Sequence, residues 1–337
     1  MRFIGVDLHQ NSLTACYLNQ DGACSTATYR LADLKQFKGQ LLKTDEVAVE
    51  ATGNTRFFVN QVKGLVARVV VVNPGQFEVI TKSTSKTDKH DAKALALFLS
   101  KGLLPEARMK DEMTSQVSSL CQTRDKLVKL RTTLINKLHA LENERGRKRA
   151  KKSLSSEEGL KKMLEEDWEQ ITRIEVEVIV AQIRSLNEGV KKLDEQIKEA
   201  GRKMEGHKNL TSIKGIGDKS ATILLSVIGP VTDFASEGKL AAYFGIVPRV
   251  ANSNETVHHG RITKKGSKLG RTTLVQCTLV AIRYSPYLRK FYDKLKARKG
   301  SGKAIIATAR KMLGIIYRTL KNNWVFADFP NFVLAEG

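Results

Sequence analysis

The sequence predicts a mixed α/β domain at the N-terminal end, continued by a largely helical remainder. Three patterns predict this. Short apolar runs alternate with amphipathic ones over residues 1–110, apolar residues recur at threes and fours without strand signals over 111–205, and glycine-punctuated, basic helical segments fill 206–337. These three stretches are the expected domains: an α/β domain, a coiled-coil linker or oligomerisation region, and a mostly helical C-terminal domain.

In chain order, "RFIGVDLH" (2–9), "SLTACYLN" (12–19) and "ACSTATYR" (23–30) read as a three-strand meander, with a turn at residues 19–22 joining the last two. A helix is expected over 31–42, a buried strand at "EVAVEAT" (46–52), a helix at "RFFVNQVKGL" (56–65) and a second buried strand at "ARVVVVNP" (67–74), stopped by Pro74. The stretch "KTDKHDAK" (86–93) then opens a helix with Asp88 and Asp91 three residues apart on one face. Acids at that place suit a helix N-terminus on their own account, because they meet the free N–H groups and the positive end of the dipole.

Two long amphipathic helices are expected between 114 and 204. Leu120, Leu127, Leu130, Leu134, Leu138 and Leu141 mark one; Ile171, Ile174, Val178 and Ala181, then Leu186, Val190, Leu193 and Ile197 after a slip near Ser185, mark the other. A narrow apolar stripe of this kind is commonly buried in a partner, so a homo-oligomer, a dimer or tetramer, is expected. Between the helices, "ERGRKRAKKSLSSEE" (144–158) reads as an exposed turn, or as a phosphate contact. Further on, "LTSIKGIGDKSATILLSVIG" (210–229) reads as a helix–hairpin–helix in which Gly215 and Gly217 let backbone N–H groups approach a phosphate, flanked by Lys214 and Lys219.

The chain of 337 residues has a formal net charge of +22. Seventeen Lys or Arg stand against one acid, Asp293, between Arg261 and Lys321, which is hard to explain as a solvated face and makes a polyanion the expected partner. No apolar run reaches the length of a membrane span and the opening residues do not form a secretion signal, so a cytoplasmic, nucleoid-associated protein is expected. The four cysteines show neither CxxC pairing nor histidines at zinc spacing, so a catalytic metal would be held by oxygen, as Mg²⁺ or Mn²⁺ is.

Two acids are out of place. Asp7 interrupts an apolar strand and Glu50 closes another, where an unpaired carboxylate is costly. Parallel neighbouring strands would set them side by side, and a helix starting at Asp88 would add Asp88 and Asp91. Four carboxylates at one sheet edge repel without divalent metal, whereas with it they form a two-ion site for phosphoryl transfer.

The order of "GVDLH", "VEATG", "VNP" and "KTDKHDAKALA", followed by "GIGDKSA", "AAYFGIVPR" and "GRITKKGSKLGR", resembles the DEDD transposases of the insertion-sequence one-ten family, which are related to the Piv site-specific DNA invertases. The resemblance runs almost end to end, with the central helices alike only in character. It implies a RuvC-like domain of RNase H fold in which Asp7, Glu50, Asp88 and Asp91 are the catalytic, metal-binding set. It also implies a C-terminal domain whose serine nucleophile lies in "VANSNETVHH" (250–259), where the serine is Ser253. This chain departs from the family pattern in having Asn254 after that serine and Gly270 before Arg271. The resemblance further implies DNA strand exchange by an insertion-sequence transposase, guided by a structured noncoding bridge RNA. The nearby hydroxyl rival to Ser253 is Ser267; Lys214, Gly215, Gly217, Lys219, Arg249, Arg261, Lys264, Lys265, Lys268 and Arg271 are the candidate nucleic-acid contacts. Two alternatives compete: a RuvC-type nuclease such as a Holliday-junction resolvase, which needs no Ser253, and a non-catalytic nucleic-acid scaffold. An actin-like phosphotransferase fits poorly, since "DLHQNSL" (7–13) lacks a phosphate-loop glycine.

Overall fold

The computed structural model of the chain describes residues 1–77, 87–150, 152–253, 256–330 and 333–336, excepting the side chains of 250–259, 335 and 336. It comprises two units, Met1–Met109 and Lys110–Gly337.

In the first unit, β1 (Phe3–Leu8), β2 (Ser12–Leu18) and β3 (Cys24–Arg30) form the expected antiparallel meander, and β4 (Glu46–Glu50) and β5 (Arg68–Val72) add in parallel on the other side of β1, giving the order β3-β2-β1-β4-β5. Side-chain alternation divides the sheet's faces. Ile4, Val6, Leu8, Val47 and Val49 enter one core beneath the short helices α1 (Leu34–Gly39) and α2 (Thr55–Val62). The opposite face carries Gly5 and Ala48 and is covered by α3 (Asp88–Ser100), whose Leu95 and Leu99 pack with Ala48, Val70 and Val72. Gly5 is required for that cover: a Cβ there would lie 2.0 Å from the Ala92 carbonyl oxygen. Backbone thus approaches backbone where β1 meets α3, at the acidic end of both.

The second unit begins with α4 (Glu112–Glu144), α5 (Glu157–Glu165) and α6 (Gln170–Arg202). Helices α4 and α6 pair over most of their length and are pinned by Arg124, which donates to Asp194 through Nε at 2.9 Å and through Nη2 at 3.1 Å. The stretch 144–158 is mostly exposed, as its composition predicts, but its arginines are partnered within the chain. Arg149 reaches Glu142 and Glu166, Arg147 reaches Glu166, the Arg145 guanidinium lies 4.5 Å from the centre of the Trp168 ring, and Leu154 is fully buried. Internal acids neutralise these arginines, which charge counting along the sequence could not show.

The rest of this unit is α7 (His207–Thr211), α8 (Asp218–Ile228), α9 (Glu237–Tyr243), hairpin β6 (Pro248–Ser253) and β7 (Thr256–Ile262), helices α10 (Lys268–Tyr284), α11 (Pro286–Lys299) and α12 (Ser301–Lys321), and hairpin β8 (Trp324–Asp328) and β9 (Val333–Glu336). Neither hairpin is predicted by the helical periodicity. One core, including Leu224, Phe244, Leu274, Leu313 and Phe326, joins these elements. Val117, Cys121, Ile197 and Ile223 bring the long helices into the same body. Residue 205, the expected domain border, therefore falls inside this second unit. No helix among the described residues is long and apolar enough to cross a membrane.

Candidate metal centre and nucleic-acid interface

The register of β1 and β4 builds the acidic site. Val6 pairs with Val49, so the next rung sets Asp7 beside Glu50, both on the α3 face. Glu50 is half-buried at the end of β4, its carbonyl accepting from Thr55 Oγ1 at 2.8 Å. Asp88 and Asp91 approach from the first turn of α3. Capping of that helix belongs to Thr87, whose hydroxyl accepts from the His90 N–H at 3.3 Å, so both aspartates are available for another role.

Sequence reasoning missed His9. Its Nε2 lies 3.2 Å from Asp7 Oδ2 and 3.2 Å from Asp88 Oδ1, and one ligand atom from each of the three residues falls within a 4.8 Å group. The available signal was spacing, since Asp7 and His9 are two residues apart at the end of a strand. Burial pushes the Asp7 carboxyl above the usual carboxylate range, opposed by His9 and reinforced by the charges of Asp88 and Asp91. For the His9 imidazole, burial acts downward but Asp7 and Asp88 outweigh it, so its pKa is raised.

Asp91 is the telling member. Its side chain is 11 % exposed, and its Oδ1 is buried without a hydrogen bond; His90 Nδ1, at 3.8 Å, is beyond hydrogen-bond reach. A buried carboxylate oxygen with no donor is costly and is the kind of ligand a hard divalent cation takes. Asp7, Asp88 and Asp91 therefore offer oxygens of the kind such an ion takes, with His9 in the same 4.8 Å group as Asp7 and Asp88.

In the second unit, Ser253 ends β6 and pairs with Thr256 of β7 at the hairpin's tip. Asn254 and the side chains of Ser253, His258 and His259 lie outside what is described. Its rival Ser267 is occupied, because its Oγ accepts from the Gly270 N–H at 3.1 Å and caps α10. Arg249, Arg261, Lys264, Lys265 and Lys268 are exposed around the base of the hairpin. Arg271 differs from them. Its Nη1 donates to the carbonyls of Phe244 and Gly266 at 3.2 and 3.0 Å, so it fastens the loop that carries Lys264 and Lys265.

The turn between α7 and α8 has its own division of labour. Gly215, at φ 105°, lies so close to α10 that a Cβ would be 2.8 Å from Ala281 N and from Cys277 O. Gly217 opens onto empty space at the N-terminus of α8. Lys214 is exposed, whereas Lys219 lies 3.5 Å from Asp194.

Residues 4–144 match a family model for DEDD transposases of the IS110 type, and residues 207–293 match that of the "Transposase IS116/IS110/IS902 family". The chain is 26% identical over 333 residues to the transposase for insertion sequence element IS1111A of Coxiella burnetii, covering 95% of this chain and 90% of that protein. It is 25% identical over 341 residues to the transposase for insertion sequence element IS1328 of Yersinia enterocolitica, covering 96% and 98%. Similarity extends to the pilin gene-inverting protein of Moraxella lacunata, 24% identical over 344 residues and covering 96% and 97%.

Proposed function

The chain belongs to the IS116/IS110/IS902 transposase family, and on that premise we propose that it is the DNA-cleaving and strand-exchanging enzyme of an insertion sequence, with a RuvC-like first domain. The observation that carries the proposal is the convergence of Asp7, His9 and Asp88 at the end of β1, with Asp91 and its donorless oxygen in the same first turn of α3 as Asp88 and Glu50 on the adjoining rung. Asp7, Glu50, Asp88 and Asp91 are the proposed catalytic set, and they would hold Mg²⁺ or Mn²⁺. When bound, such ions activate the attacking oxygen and stabilise the leaving one. The protein's part is to preorganise the carboxylates: Gly5 admits α3, Thr87 fixes its first turn, and His9 offsets the charge of Asp7 and Asp88.

Ser253 is the proposed nucleophile. Its Oγ forms a bond to phosphorus as the bond to the departing sugar oxygen breaks; the serine proton leaves and the departing oxygen gains one. Attack on the phosphoserine by a hydroxyl of another strand then restores the diester and the serine, so exchange needs no external energy. The hydroxyl of Ser267 is already a helix cap, which favours Ser253 between the two. The exposed cations Arg249, Arg261, Lys264, Lys265 and Lys268, with Lys214 and the open Gly217 turn, are proposed to contact phosphates of DNA and of a structured bridge RNA.

A nicked suicide substrate tests this reading. Wild type with Mg²⁺ is expected to trap a covalent adduct mapping to Ser253, while Ser253→Ala and the Asp7, Glu50, Asp88 or Asp91→Ala variants bind DNA but form none. An adduct on Ser267, or recombination by Ser253→Ala, assigns the wrong nucleophile. Cleavage with free ends and no adduct in any form returns the resolvase alternative.

A further inference from the structure

The second unit contains a cavity of ≈ 490 Å³ bounded by α11, α12 and β8 that the proposed cleavage chemistry does not use. Its size is within the range of small-molecule sites. Tyr287 and Phe291, one turn apart on α11, stand at its wall, and Trp324 of β8 lines it as well. Tyr287 is 47% exposed. The ammonium of Lys311 lies 4.6 Å from the centre of the Tyr287 ring and 4.5 Å from that of Phe291. Arg310 and Arg318 complete the cationic lining.

One wall holds an unanswered polar group. Thr319 is fully buried, and its Oγ1 has no hydrogen-bond partner. Thr308, on the same helix, shows the ordinary arrangement, donating to the Ala304 carbonyl at 2.8 Å. Thr319 leaves that bond unmade at the boundary of the cavity. On the rim, Glu237 accepts from Arg318 Nε and Nη2 through a single oxygen, Oε2, at 3.0 and 2.9 Å.

We propose that this cavity receives an unstacked nucleobase of single-stranded nucleic acid, stacked on Tyr287, Phe291 or Trp324, with its phosphates held by Arg310, Lys311 and Arg318. The proposal rests on the nucleic-acid reading above and assigns it a second, base-dependent site. Aromatic faces accept any base, and flanking cations follow the backbone; together they distinguish single strands from duplex, whose bases are stacked away. Lys311 occupies the ring faces when no base is present and, being long and flexible, can turn to a phosphate when one is. Charge selects the occupant: α11 and α12, with their intervening residues, carry eleven Lys or Arg and one acid, Asp293. The Glu237 carboxylate at the rim offers acceptors to a base edge.

The test is fluorescence anisotropy of the full-length protein with three labelled probes at one salt concentration: a thymidine dodecamer, its abasic counterpart, and a duplex of equal length. Tyr287→Ala is expected to weaken the dodecamer about tenfold while changing the abasic probe and the duplex by less than about twofold. Trp324 emission should be quenched by the dodecamer and not by the abasic strand, the other tryptophan, Trp168, being buried. Equal losses on all three probes, or dodecamer affinity no greater than abasic, overturns the pocket while leaving general phosphate binding intact. Tyr287-dependent binding of an acidic peptide in place of the dodecamer overturns it in favour of a protein partner. If no probe binds, the nucleic-acid reading fails with it.

Discussion

Thr87 and Asp91 separate two roles that the sequence superimposes at one helix start. The Thr87 hydroxyl caps α3, and Asp91 presents a buried oxygen without a donor. Thr87→Ala should lower stability by about 1 kcal/mol, the usual cost of a lost N-cap, with cleavage reduced only in proportion to unfolding. Asp91→Asn should leave metal-free stability equal to or above wild type, since it removes a buried charge, and should abolish cleavage. Thermal melts with and without Mg²⁺ distinguish the two: the ion is expected to raise the Tm of wild type and Thr87→Ala, and not that of Asp91→Asn. A Mg²⁺-induced rise in Asp91→Asn equal to that of wild type would remove Asp91 from the metal site.

Helix α6 uses two apolar faces. Val176, Ile179, Val180 and Ile183 are buried inside the chain, while Ile171, Ile174 and Val178 are 85%, 58% and 57% exposed. Of the stripe that predicts a partner, Ile171, Ile174 and Val178 are exposed, whereas Val190 and Ile197 are buried inside the chain, so self-association is proposed through the exposed part. Replacing Ile171 and Ile174 together by Asp should shift the protein toward monomer in analytical ultracentrifugation, weakening association more than about tenfold, without lowering Tm by unfolding the buried face. Unchanged mass would place the oligomer contact elsewhere. The opposite seam is held by Asp194. Burial acts to raise its pKa, but hydrogen bonding and charge from Arg124 and the charge of Lys219 overcome this and lower it below 3.8. Stability from this pair is therefore complete above the unfolded value and is lost as pH falls through the depressed folded one. Asp194→Asn should cost about 1 kcal/mol at neutral pH, discounted for its solvent exposure, and nothing once the pH is below both values. A difference that persists undiminished in acid would mean that packing, not charge, supplies the effect.

For the whole molecule, a formal charge of +22 makes ionic strength the governing variable. DNA affinity should fall linearly on a log–log plot against salt, and neutralising Arg261, Lys265 and Lys268 to Gln should reduce the slope by about 1 per residue, uniformly across sequences. Arg271→Gln should act differently. Because its Nη1 fastens the Lys264–Gly266 loop, it is expected to lower Tm as well as affinity. Purified protein should carry RNA, and nuclease treatment should remove its site specificity; activity unchanged by such treatment would exclude an RNA guide.

The sequence by itself determined the five strands of the first unit, the misplaced acids Asp7 and Glu50, and the basic C-terminal stretch, because alternation, helical spacing and charge are local properties. That Asp7 and Glu50 share one face needed the register as well, in which Val6 pairs with Val49. Tertiary structure alone decided the rest. His9 reaches Asp88 because Gly5 lets α3 lie against β1, a distance that no spacing rule contains. The arginines of 144–158 find acids, one of them 19 residues away along the chain, and Arg271 turns inward while its basic neighbours stay exposed. The aromatic cavity joins α11, α12 and β8, which are brought together by a core. Local periodicity tells a side chain which face it is on; what stands opposite is set by register, close approach and burial, which depend on the whole fold.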